Sequence, residues 1–359
     1  MSADLLALTA ALIEVPSVSR DEGPLADFVE ARLRAVPSLA VERVGDNVVA
    51  RTALGRPLRL LLVGHLDTVP ANDNDRAVLS ADGSTLHGLG AADMQGGLAV
   101  MLDLAESLVP ESLAVDVTYV FYAREEIAIA ESGLGELFSL RPDLLAGDAA
   151  VLGEPTSGEV EAGCQGTMRM RVALQGARAH TARPWTGRNA IHRLAPLLAL
   201  VDGFEERRPV LDGCEYREAL QVVRVEGGVA GNVVPDHVEL LLNHRFAPDR
   251  SPAEAEAFVR GLLAPALEDG DVVEVVDIAA GAAPGLTHPL LRTLIARNGL
   301  AVNAKLGWTD VARFAEHGIP ACNLGPGDPL LAHTADEWVS RAALDSTRAI
   351  LADLLLAGP

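Results

Sequence analysis

The sequence has little lysine, few aromatic residues and few cysteines, and these shortages exclude several classes of protein. Lys305 is the one lysine among 359 residues, and the formal net charge is -21 at pH 7. Nucleic acids and anionic membrane surfaces are therefore not expected partners, because both require a basic face. Three cysteines without a CxxC pair are typical of reduced thiols in the cytoplasm. No apolar run reaches the ~20 residues of a membrane span, and the N-terminal segment lacks the basic start of a signal peptide. We therefore expect a cytoplasmic protein.

The abundant residues predict a globular α/β protein with an aliphatic core. Hydrophobic residues make up 49% of the chain and aromatic residues only 4%. Helix and strand patterns alternate over residues 1–166 and again over 284–359, which favours helices layered on a mainly parallel sheet. Residues 167–283 follow a βαββαβ order, which is the ferredoxin-like pattern. Its predicted elements are a strand at 168–175, a helix at 187–202, strands at 219–226 and 237–246, a helix at 251–263 and a strand at 271–276. We therefore predict a catalytic domain formed by the two outer segments, with the smaller domain inserted between them.

A histidine and an aspartate stand where a buried strand is predicted to end. The apolar run LRLLLVG at 58–64 is followed by His65 and Asp67. A short continuous apolar run suits a strand buried on both faces of a parallel sheet. In open α/β sheets the carboxyl edge is where ligand sites form. This pair is therefore a candidate for chemistry, although an isolated H-x-D is also common in capped turns.

The same residue types recur at other predicted strand and loop ends. They are Asp93 in GLGAADMQGG, Glu125 and Glu126 in YAREEI, Glu154 in LGEP and His333 in LLAHTADEWV. Imidazoles and carboxylates without cysteine are the ligands of zinc or a similar divalent ion in a site open to water. A dinucleotide-binding interpretation of GLGAAD fails, because Asp93 stands where that fingerprint requires its third glycine.

Taken together, these motifs resemble one enzyme family over nearly the whole chain. In order they are GHLDTVP, GLGAADMQGG, EE, GEP, GARAHTARP, GNVVPD and AHTADEWV. The sequence is similar to the co-catalytic dizinc amidohydrolases and metallopeptidases, which include aminoacylases, acetylornithine deacetylases, carboxypeptidase G-type enzymes and succinyl-diaminopimelate desuccinylases. The resemblance implies two Zn²⁺ ions per chain, for which Co²⁺ or Mn²⁺ can substitute. It also implies a homodimer, with residues 167–283 as a lid and dimerisation domain.

The resemblance assigns the candidate ligands to two metal ions. It implies one ion held by His65 and Glu154 and another held by Glu126 and His333, with Asp93 bridging them. It further implies a cis peptide bond between Asp93 and Met94, because relatives have one at this position.

Three residues are implied as catalytic. Asp67 is expected to accept the second ring N–H of His65 and so to orient the imidazole. Glu125 is expected to act as the base that takes a proton from the attacking water and passes it to the leaving amine. His180, in the inserted domain, is expected to reach across a dimer and polarise the scissile carbonyl. The alternative for His180 is a surface or helix-capping histidine.

Four residues are implied as substrate contacts. Asn232 and Arg245 match inserted-domain positions that meet substrate carboxylates, for which a guanidinium offers two parallel donors. Thr309 and Asp310 lie in LGWTD, where the match to relatives is shorter. Gln165 departs from an arginine that several desuccinylases carry, and this leaves the identity of the acyl group open.

Within the family, HTARPWTGRNAIH and GPGDPLLAHTADE are most similar to the actinobacterial type of desuccinylase. The expected reaction is hydrolysis of N-succinyl-LL-2,6-diaminopimelate to LL-diaminopimelate and succinate. The alternative is deacetylation of N-acetylornithine or hydrolysis of another small N-acyl amino acid, since these substrates also present carboxylates to cationic residues. A family member acting only as a binding protein is a further alternative. The presence of Glu125 together with every expected metal ligand argues against it.

Overall fold

The computed structural model describes residues 4–359, and all elements below lie within that range. The α-helices are α1 (Leu5–Ile13), α2 (Gly23–Arg34), α3 (Gly96–Ser107), α4 (Gly133–Leu140), α5 (Leu194–Asp202), α6 (Pro252–Leu263), α7 (Pro289–Asn298), α8 (Val311–Glu316) and α9 (Arg341–Ala357). Short 3₁₀ segments lie at Pro110–Ser112, Ile129–Glu131, Pro142–Leu145, Pro184–Thr186, Ile191–Arg193 and Ala264–Ala266. A π-helical segment lies at Ala91–Gln95 and is interrupted by the non-helical backbone angles of Asp93 and Met94.

The strands alternate with these helices along the chain. They are β1 (Ala40–Val44), β2 (Asn47–Arg51), β3 (Arg59–His65), β4 (Val78–Leu79), β5 (Thr85–His87), β6 (Asp116–Tyr122), β7 (Ala149–Leu152), β8 (Val160–Ala162), β9 (Gly166–Gln175), β10 (Ala179–His180), β11 (Val210–Leu211), β12 (Cys214–Glu215), β13 (Ala219–Gly227), β14 (Val233–Val234), β15 (His237–Phe246), β16 (Val272–Ala279), β17 (Val302–Ala304), β18 (Ala321–Asn323) and β19 (Trp338–Ser340).

The chain forms two compact units in the structure. The first contains residues 4–162 together with 285–303 and 313–359, and the second contains residues 163–284 and 304–312. The predicted boundaries placed 304–312 in the catalytic domain, and the structure groups this segment with the inserted unit instead. The reason is local bonding, because Gln165 donates its N–H to the Lys305 carbonyl at 3.1 Å and the Trp308 indole donates to the Ala280 carbonyl at 3.1 Å.

An eight-stranded sheet organises the first unit, in the order β1-β2-β6-β3-β7-β18-β8-β17. The neighbours β6, β3, β7 and β18 run parallel, whereas β1, β2 and β8 add antiparallel strands at the flanks. Strands β6 and β7 are buried along their full length, and β3 is buried from its second residue onward. The predicted α/β fold with a large, mainly parallel sheet is confirmed, and its parallel strands form the centre of the sheet.

Helix α3 is held close to the sheet by a pair of glycines. A Cβ atom placed on Gly97 would lie 2.4 Å from the carbonyl oxygen of Gly153, so a larger residue cannot occupy the position without movement of the backbone. Gly153 follows β7 and immediately precedes Glu154. This contact brings the start of α3, and the Asp93 turn before it, against the loop that carries Glu154.

The second unit contains a four-stranded antiparallel sheet in the order β13-β15-β9-β16. In chain order the strands of this sheet and the two α-helices between them are β9, α5, β13, β15, α6 and β16, which is the βαββαβ order predicted from the sequence. The two-residue strands β10, β11, β12 and β14 lie outside this sheet. Its aliphatic core is formed by residues of these strands and of α5 and α6, including Val172, Leu197, Leu240 and Val259.

One predicted helix begins later than expected. The sequence pattern predicted a helix over 187–202, but α5 begins at Leu194. Residues Ala177 and Arg188 exchange two backbone hydrogen bonds of 2.8 Å, which form an isolated antiparallel bridge. Arg188 is thereby held outside the helix, and its neighbour Gly187 is extended rather than helical. Among the described residues, no helix combines the length and apolar composition needed to cross a membrane.

Candidate metal centre

The candidate ligands lie where parallel strands of the first unit end. His65 is the last residue of β3, Glu126 follows β6 and Glu154 follows β7. Because β6, β3 and β7 are adjacent and parallel, their carboxyl ends meet at one edge of the sheet. Asp93 lies in the π-helical segment before α3, and His333 lies in the loop between β18 and β19. The fold therefore delivers side chains from distant parts of the sequence to the edge where α/β sheets build ligand sites.

His65 is fixed by a hydrogen bond at each ring nitrogen. Its Nδ1 lies 2.9 Å from the backbone carbonyl oxygen of Asp67, and its Nε2 lies 3.1 Å from Oδ1 of Asp93. A carbonyl oxygen only accepts, so Nδ1 carries the proton. The Asp93 carboxylate also only accepts, so the hydrogen bond at Nε2 requires a proton there as well. A cation that displaced this proton would meet the lone pair of Nε2. The imidazole is 1% exposed, so this orientation is maintained by the surrounding protein.

The predicted role of the Asp67 carboxylate was wrong in one respect. Its Oδ1 lies 3.6 Å from His65 Nδ1, whereas the carbonyl oxygen of the same residue makes the hydrogen bond to the ring. The carboxylate instead accepts the backbone N–H groups of Glu125 at 2.9 Å and Glu126 at 3.0 Å. It also accepts the hydroxyl of Ser19 at 2.7 Å. Asp67 thus holds His65 through its main chain and the two glutamates through its side chain.

Asp93 presents one carboxylate oxygen to each histidine. Oδ1 lies 3.1 Å from Nε2 of His65, and Oδ2 lies 3.8 Å from Nε2 of His333. Glu126 Oε1 lies 2.9 Å from the same His333 nitrogen. One candidate ligand atom from each of His65, Asp93 and Glu126 lies within 4.8 Å of the other two. Asp93 therefore stands between the two histidines, with one carboxylate oxygen toward each. The peptide bond between Asp93 and Met94 is cis, as predicted.

The electrostatics of the centre favour a cation. Burial lowers the pKa of His65, but the hydrogen bond to Asp93 and the charges of Glu154, Asp93 and Asp67 outweigh burial and raise that pKa well above its ordinary value. The hydrogen bond with Glu126 raises the pKa of His333, although burial opposes this shift. The carboxylates thus stabilise positive charge at both imidazoles. The same donor set of imidazole nitrogens and carboxylate oxygens fits divalent cations of the zinc type.

Glu154 and Glu125 complete the group of acidic residues predicted for the site. Glu154 is buried and close enough to His65 for its charge to act on that imidazole. It lies outside the set of three residues whose ligand atoms are mutually within 4.8 Å among the described residues. Glu125 is partly buried and is held by its N–H bond to Asp67. Among the described residues, Glu125 also lies outside that set of three.

His180 and Asn232 are neighbours in the second unit. His180 on β10 pairs with Val233 on β14, and the backbone carbonyl oxygen of Asn232 accepts the backbone N–H of Thr181 at 3.1 Å. The exposed His180 ring accepts the N–H of Ala182 on Nδ1 at 3.0 Å. Nδ1 is therefore unprotonated, and Nε2 carries the N–H of the neutral ring. This leaves His180 with a donor that can point at an acceptor such as a carbonyl oxygen.

Arg245 and the segment around Thr309 are also in the second unit. Arg245 lies on β15 and is partly buried, and burial, together with the charge of Arg169, lowers the pKa of its guanidinium. Thr309 and Asp310 are buried, and the Thr309 carbonyl accepts the Cys164 thiol at 3.6 Å. Gln165 is also buried, and its side-chain oxygen accepts the N–H of Arg217 at 2.8 Å.

Sequence reasoning missed two residues that support the centre. Ser19 donates its hydroxyl to Asp67, and nothing in the pattern PSVSRDE marks it. Glu337 accepts the N–H groups of Gly90, Ala92 and Asp93, each at 2.9 Å. Burial raises the pKa of Glu337 to about 7, although these three hydrogen bonds oppose the shift. Glu337 lies within the AHTADEWV motif, but bonds to backbone amides leave no signature in the sequence.

The geometry of the candidate metal centre by itself indicates a class of protein. Two histidines and several carboxylates converge at the carboxyl edge of a parallel sheet, and an adjacent glutamate lies outside the candidate ligand set. A cation-binding site beside a carboxylate base is the arrangement of metal-dependent hydrolases.

Comparisons with known proteins agree with this class. Residues 61–357 match the model of peptidase family M20/M25/M40. The chain belongs to this family of metal-dependent hydrolases, and membership implies a metal cofactor. The chain is 51% identical over 355 residues to a Mycobacterium tuberculosis protein, covering 97% of this chain and 98% of that one. The relative carries the provisional name succinyl-diaminopimelate desuccinylase DapE.

Two further matches extend the comparison. The succinyl-diaminopimelate desuccinylase of Corynebacterium glutamicum is 42% identical over 356 residues, covering 98% of this chain and 96% of that one. The crystal structure of a Staphylococcus aureus tripeptidase superposes with a TM-score of 0.81 and covers 99% of both chains at 21% identity. The structural match supports the fold, and the two sequence matches carry the enzyme names.

Proposed function

We propose that this protein hydrolyses N-succinyl-LL-2,6-diaminopimelate to LL-diaminopimelate and succinate. The observation that carries the proposal is the 51% identity, over 97% of the chain, to a relative bearing the name of that activity. A second relative with the same activity in its name is 42% identical over 98% of the chain. The geometry around Asp93 is compatible with an amide hydrolase that uses two metal ions.

Two Zn²⁺ ions per chain are the proposed cofactors, and Co²⁺ or Mn²⁺ can substitute. The ligands would be His65 and Glu154 for one ion and Glu126 and His333 for the other, with Asp93 shared. This division is supported by the two oxygens of Asp93, which face different histidines at 3.1 and 3.8 Å. When bound, the ions supply Lewis acidity that polarises the amide carbonyl and makes a water molecule more acidic.

Glu125 is the proposed general base. It would take a proton from the attacking water as the new C–O bond forms at the acyl carbon. The same carboxyl group would then deliver the proton to the amine nitrogen as the C–N bond breaks, which releases succinate and the free amine. Support comes from its anchoring, because the bond from its backbone N–H to Asp67 fixes the chain beside the candidate ligands without using its side chain.

The second unit would supply the substrate contacts. The guanidinium of Arg245 is partly buried near the like charge of Arg169, so a substrate carboxylate would offset both burial and repulsion, and we propose that it pairs with one. The Nε2–H of His180 is the proposed donor to the amide carbonyl, and Asn232, Thr309 and Asp310 are proposed to contact the remaining polar groups. We further propose that His180 acts from the partner subunit of a homodimer.

A cytoplasmic location is proposed with the same activity. All three cysteines are buried free thiols. This state suits a reducing compartment.

The test is hydrolysis of defined substrates by the zinc-loaded protein, with the released amine detected by ninhydrin. N-succinyl-LL-2,6-diaminopimelate should be cleaved with the highest kcat/KM, and N-acetylornithine and simple N-acyl amino acids should be cleaved poorly. A higher kcat/KM for N-acetylornithine would replace the proposed substrate but keep the chemistry. No hydrolysis of any of these amides by the metal-loaded protein would reject the proposal.

A further inference from the structure

Glu337 is a buried carboxylate that contacts the turn carrying Asp93. It is 1% exposed, and both of its oxygens accept backbone N–H groups. Oε1 accepts from Ala92 and Asp93, and Oε2 accepts from Gly90, each at 2.9 Å. These amides lie in the turn before α3, where the non-helical backbone angles of Asp93 and Met94 interrupt the hydrogen-bond pattern of a helix. Glu337 therefore satisfies three donors that would otherwise be buried without acceptors.

The same residue anchors the loop that carries His333. Glu337 lies four positions after His333 and directly before β19. Its carbonyl oxygen accepts the N–H of Gly88 at 3.1 Å, and β19 then pairs with β5. Asn74 adds a tie by donating its side-chain amide to the Thr334 carbonyl at 3.1 Å. The loop of His333 and the turn of Asp93 are thus joined through main-chain and side-chain bonds of Glu337.

We propose that Glu337 is a positioning residue for the metal centre, which sets the spacing between Asp93 and His333 and so determines how tightly a divalent cation is held. This inference rests on the proposed ligand roles of Asp93 and His333. Glu337 itself does not bind the metal ion. It acts on the metal centre through its hydrogen bond to the backbone N–H of Asp93. Without its carboxylate, three buried N–H groups lose their acceptor, and the turn must rearrange to find others. Asp93 Oδ2 and His333 Nε2, now 3.8 Å apart, would no longer keep a defined separation.

Glu337→Gln is the principal test, because it keeps the side-chain shape while placing an N–H₂ group opposite backbone donors. Loss of a group that orients a ligand typically weakens metal binding about 10- to 100-fold. We expect a loss of that size in zinc affinity, measured by competition with a chromophoric chelator. Hydrogen exchange in the metal-free protein provides a second readout, and the amides of Gly90, Ala92 and Asp93 should exchange faster than in the wild type.

Glu218→Gln is a matched control for loss of a buried carboxylate. Glu218 is 2% exposed and also has three donors, from Arg207, Arg250 and the N–H of Ala247, but it lies in the second unit. We expect this change to lower the stability of the protein while leaving zinc affinity and exchange at the Asp93 turn unchanged. Glu337→Asp, which is one methylene shorter, should lose less zinc affinity than Glu337→Gln. If Glu337→Gln does not fold, the zinc affinity and hydrogen exchange of Glu337→Asp test the positioning role instead.

The outcomes separate this inference from the proposed function. Wild-type protein that binds no zinc would overturn the proposed metal centre and this inference with it. Wild-type protein that binds zinc, together with folded Glu337→Gln of unchanged zinc affinity, would overturn the role of Glu337 alone. Equal losses of zinc affinity in the Glu337 and Glu218 variants would also overturn it, because general destabilisation would then account for the effect.

Discussion

The carboxylate of Asp67 accepts the backbone N–H of Glu125 at 2.9 Å, which joins the loop after β3 to the loop after β6. Its other oxygen accepts the N–H of Glu126 at 3.0 Å. The proposed base and a proposed metal ligand are therefore anchored by the same carboxylate. The carbonyl of Asp67 also orients His65, so one residue determines the relative positions of groups with three different roles.

Asp67→Asn should consequently impair catalysis through geometry. The amide keeps one acceptor oxygen and points an N–H₂ group at a backbone donor, which leaves a buried N–H unsatisfied at a cost of about 1–3 kcal/mol. If that cost appears in the transition state, kcat falls by about 10- to 100-fold. Ser19→Ala removes only the hydroxyl bond to Asp67 and should reduce kcat by less than about 10-fold. Steady-state kinetics on zinc-loaded protein measures both effects.

Asp116→Asn provides a control in the same unit. The Asp116 carboxylate accepts the Thr52 hydroxyl and the N–H groups of Leu54 and Arg56, but it stands at the opposite end of β6 from the metal centre. It should lose a similar amount of stability and keep its kcat. A kcat for Asp67→Asn equal to that of Asp116→Asn would show that the Asp67 contacts matter for stability only.

The adjacent glutamates should respond differently to the same substitution. Glu126 Oε1 contacts His333 and belongs to the set of close ligand atoms, whereas Glu125 does not. Glu125→Gln should therefore retain zinc and lower kcat by about 100-fold or more, the scale of a lost general base. Glu126→Gln should release zinc more readily. Loss of zinc from Glu125→Gln, with activity restored by excess metal, would mean that the two roles are exchanged.

Metal stoichiometry tests the bridging position of Asp93. After dialysis against zinc, elemental analysis should approach two ions per chain, because Asp93 presents one oxygen to each histidine. Asp93→Ala should lower this number, since a shared ligand supports both ions. Asp82→Ala, on an exposed turn, should bind as much zinc as the wild type. If wild-type protein dialysed against zinc at neutral pH held no more metal than a buffer blank, the proposed centre would be excluded.

Hybrid dimers test whether His180 acts on the partner subunit. His180→Ala and Glu125→Ala should each be nearly inactive as homodimers. After co-refolding in equal amounts, half of the dimers should be mixed, and one site of each mixed dimer would combine an intact Glu125 with an intact partner His180. Activity should recover to roughly a quarter of the wild type, by counting sites in a randomly assorted two-fold dimer.

The control for this experiment is the proportion of mixed dimers, measured by native mass spectrometry. If His180 serves its own chain, no site in the mixture has both groups. Confirmed hybrids without recovered activity would therefore exclude the borrowed histidine while leaving the metal chemistry untouched.

His244 should make stability depend on pH. It is 1% exposed, its Nδ1 donates to the Ala219 carbonyl at 2.9 Å, and its Nε2 has no hydrogen-bond partner. Burial lowers the pKa of His244 below its usual 6.5. The unfolded chain therefore takes up a proton at a higher pH than the folded protein, and stability declines as the pH falls below 6.5.

Urea denaturation of zinc-free protein at about pH 7.5 and about pH 5.5 measures this contribution. The wild type should lose up to ~1.4 kcal/mol per pH unit from this one group below the pKa of the unfolded state. His244→Phe should lose less stability over the same interval, while exposed His192→Asn should behave like the wild type. Equal pH dependence in His244→Phe and the wild type would contradict the prediction.

The local sequence pattern identified the strand ends, because burial on both faces selects continuous apolar runs. Strand β15 has its predicted bounds, and His65 ends β3 as expected. The βαββαβ order could also be predicted from the sequence, because the spacing of apolar residues differs between strands and helices. The motifs around Asp93 carried the resemblance to a family, and that resemblance supplied the expected cis peptide bond.

The remaining features depend on backbone groups that meet across the chain. The Asp67 carboxylate bonds to N–H groups of Glu125 and Glu126, and every residue except proline offers such a donor. The late start of α5 results from a bridge between Ala177 and Arg188, which has no residue signature. The grouping of 304–312 with the second unit likewise rests on carbonyl acceptors. Contacts of this kind can be identified only in the folded structure.

The position of β18 has a consequence for synthesis of the protein on the ribosome. β18 lies between β7 and β8 in the eight-stranded sheet, although residues 321–323 come after both strands and after the entire inserted unit in the chain. Until that segment has emerged, β7 and β8 lack their shared neighbour and leave unpaired backbone edges that can join other chains. The inserted unit can collapse earlier, since domains tend to fold as they are made. During synthesis the nascent enzyme thus carries an open sheet edge, and this edge is the place where aggregation would begin.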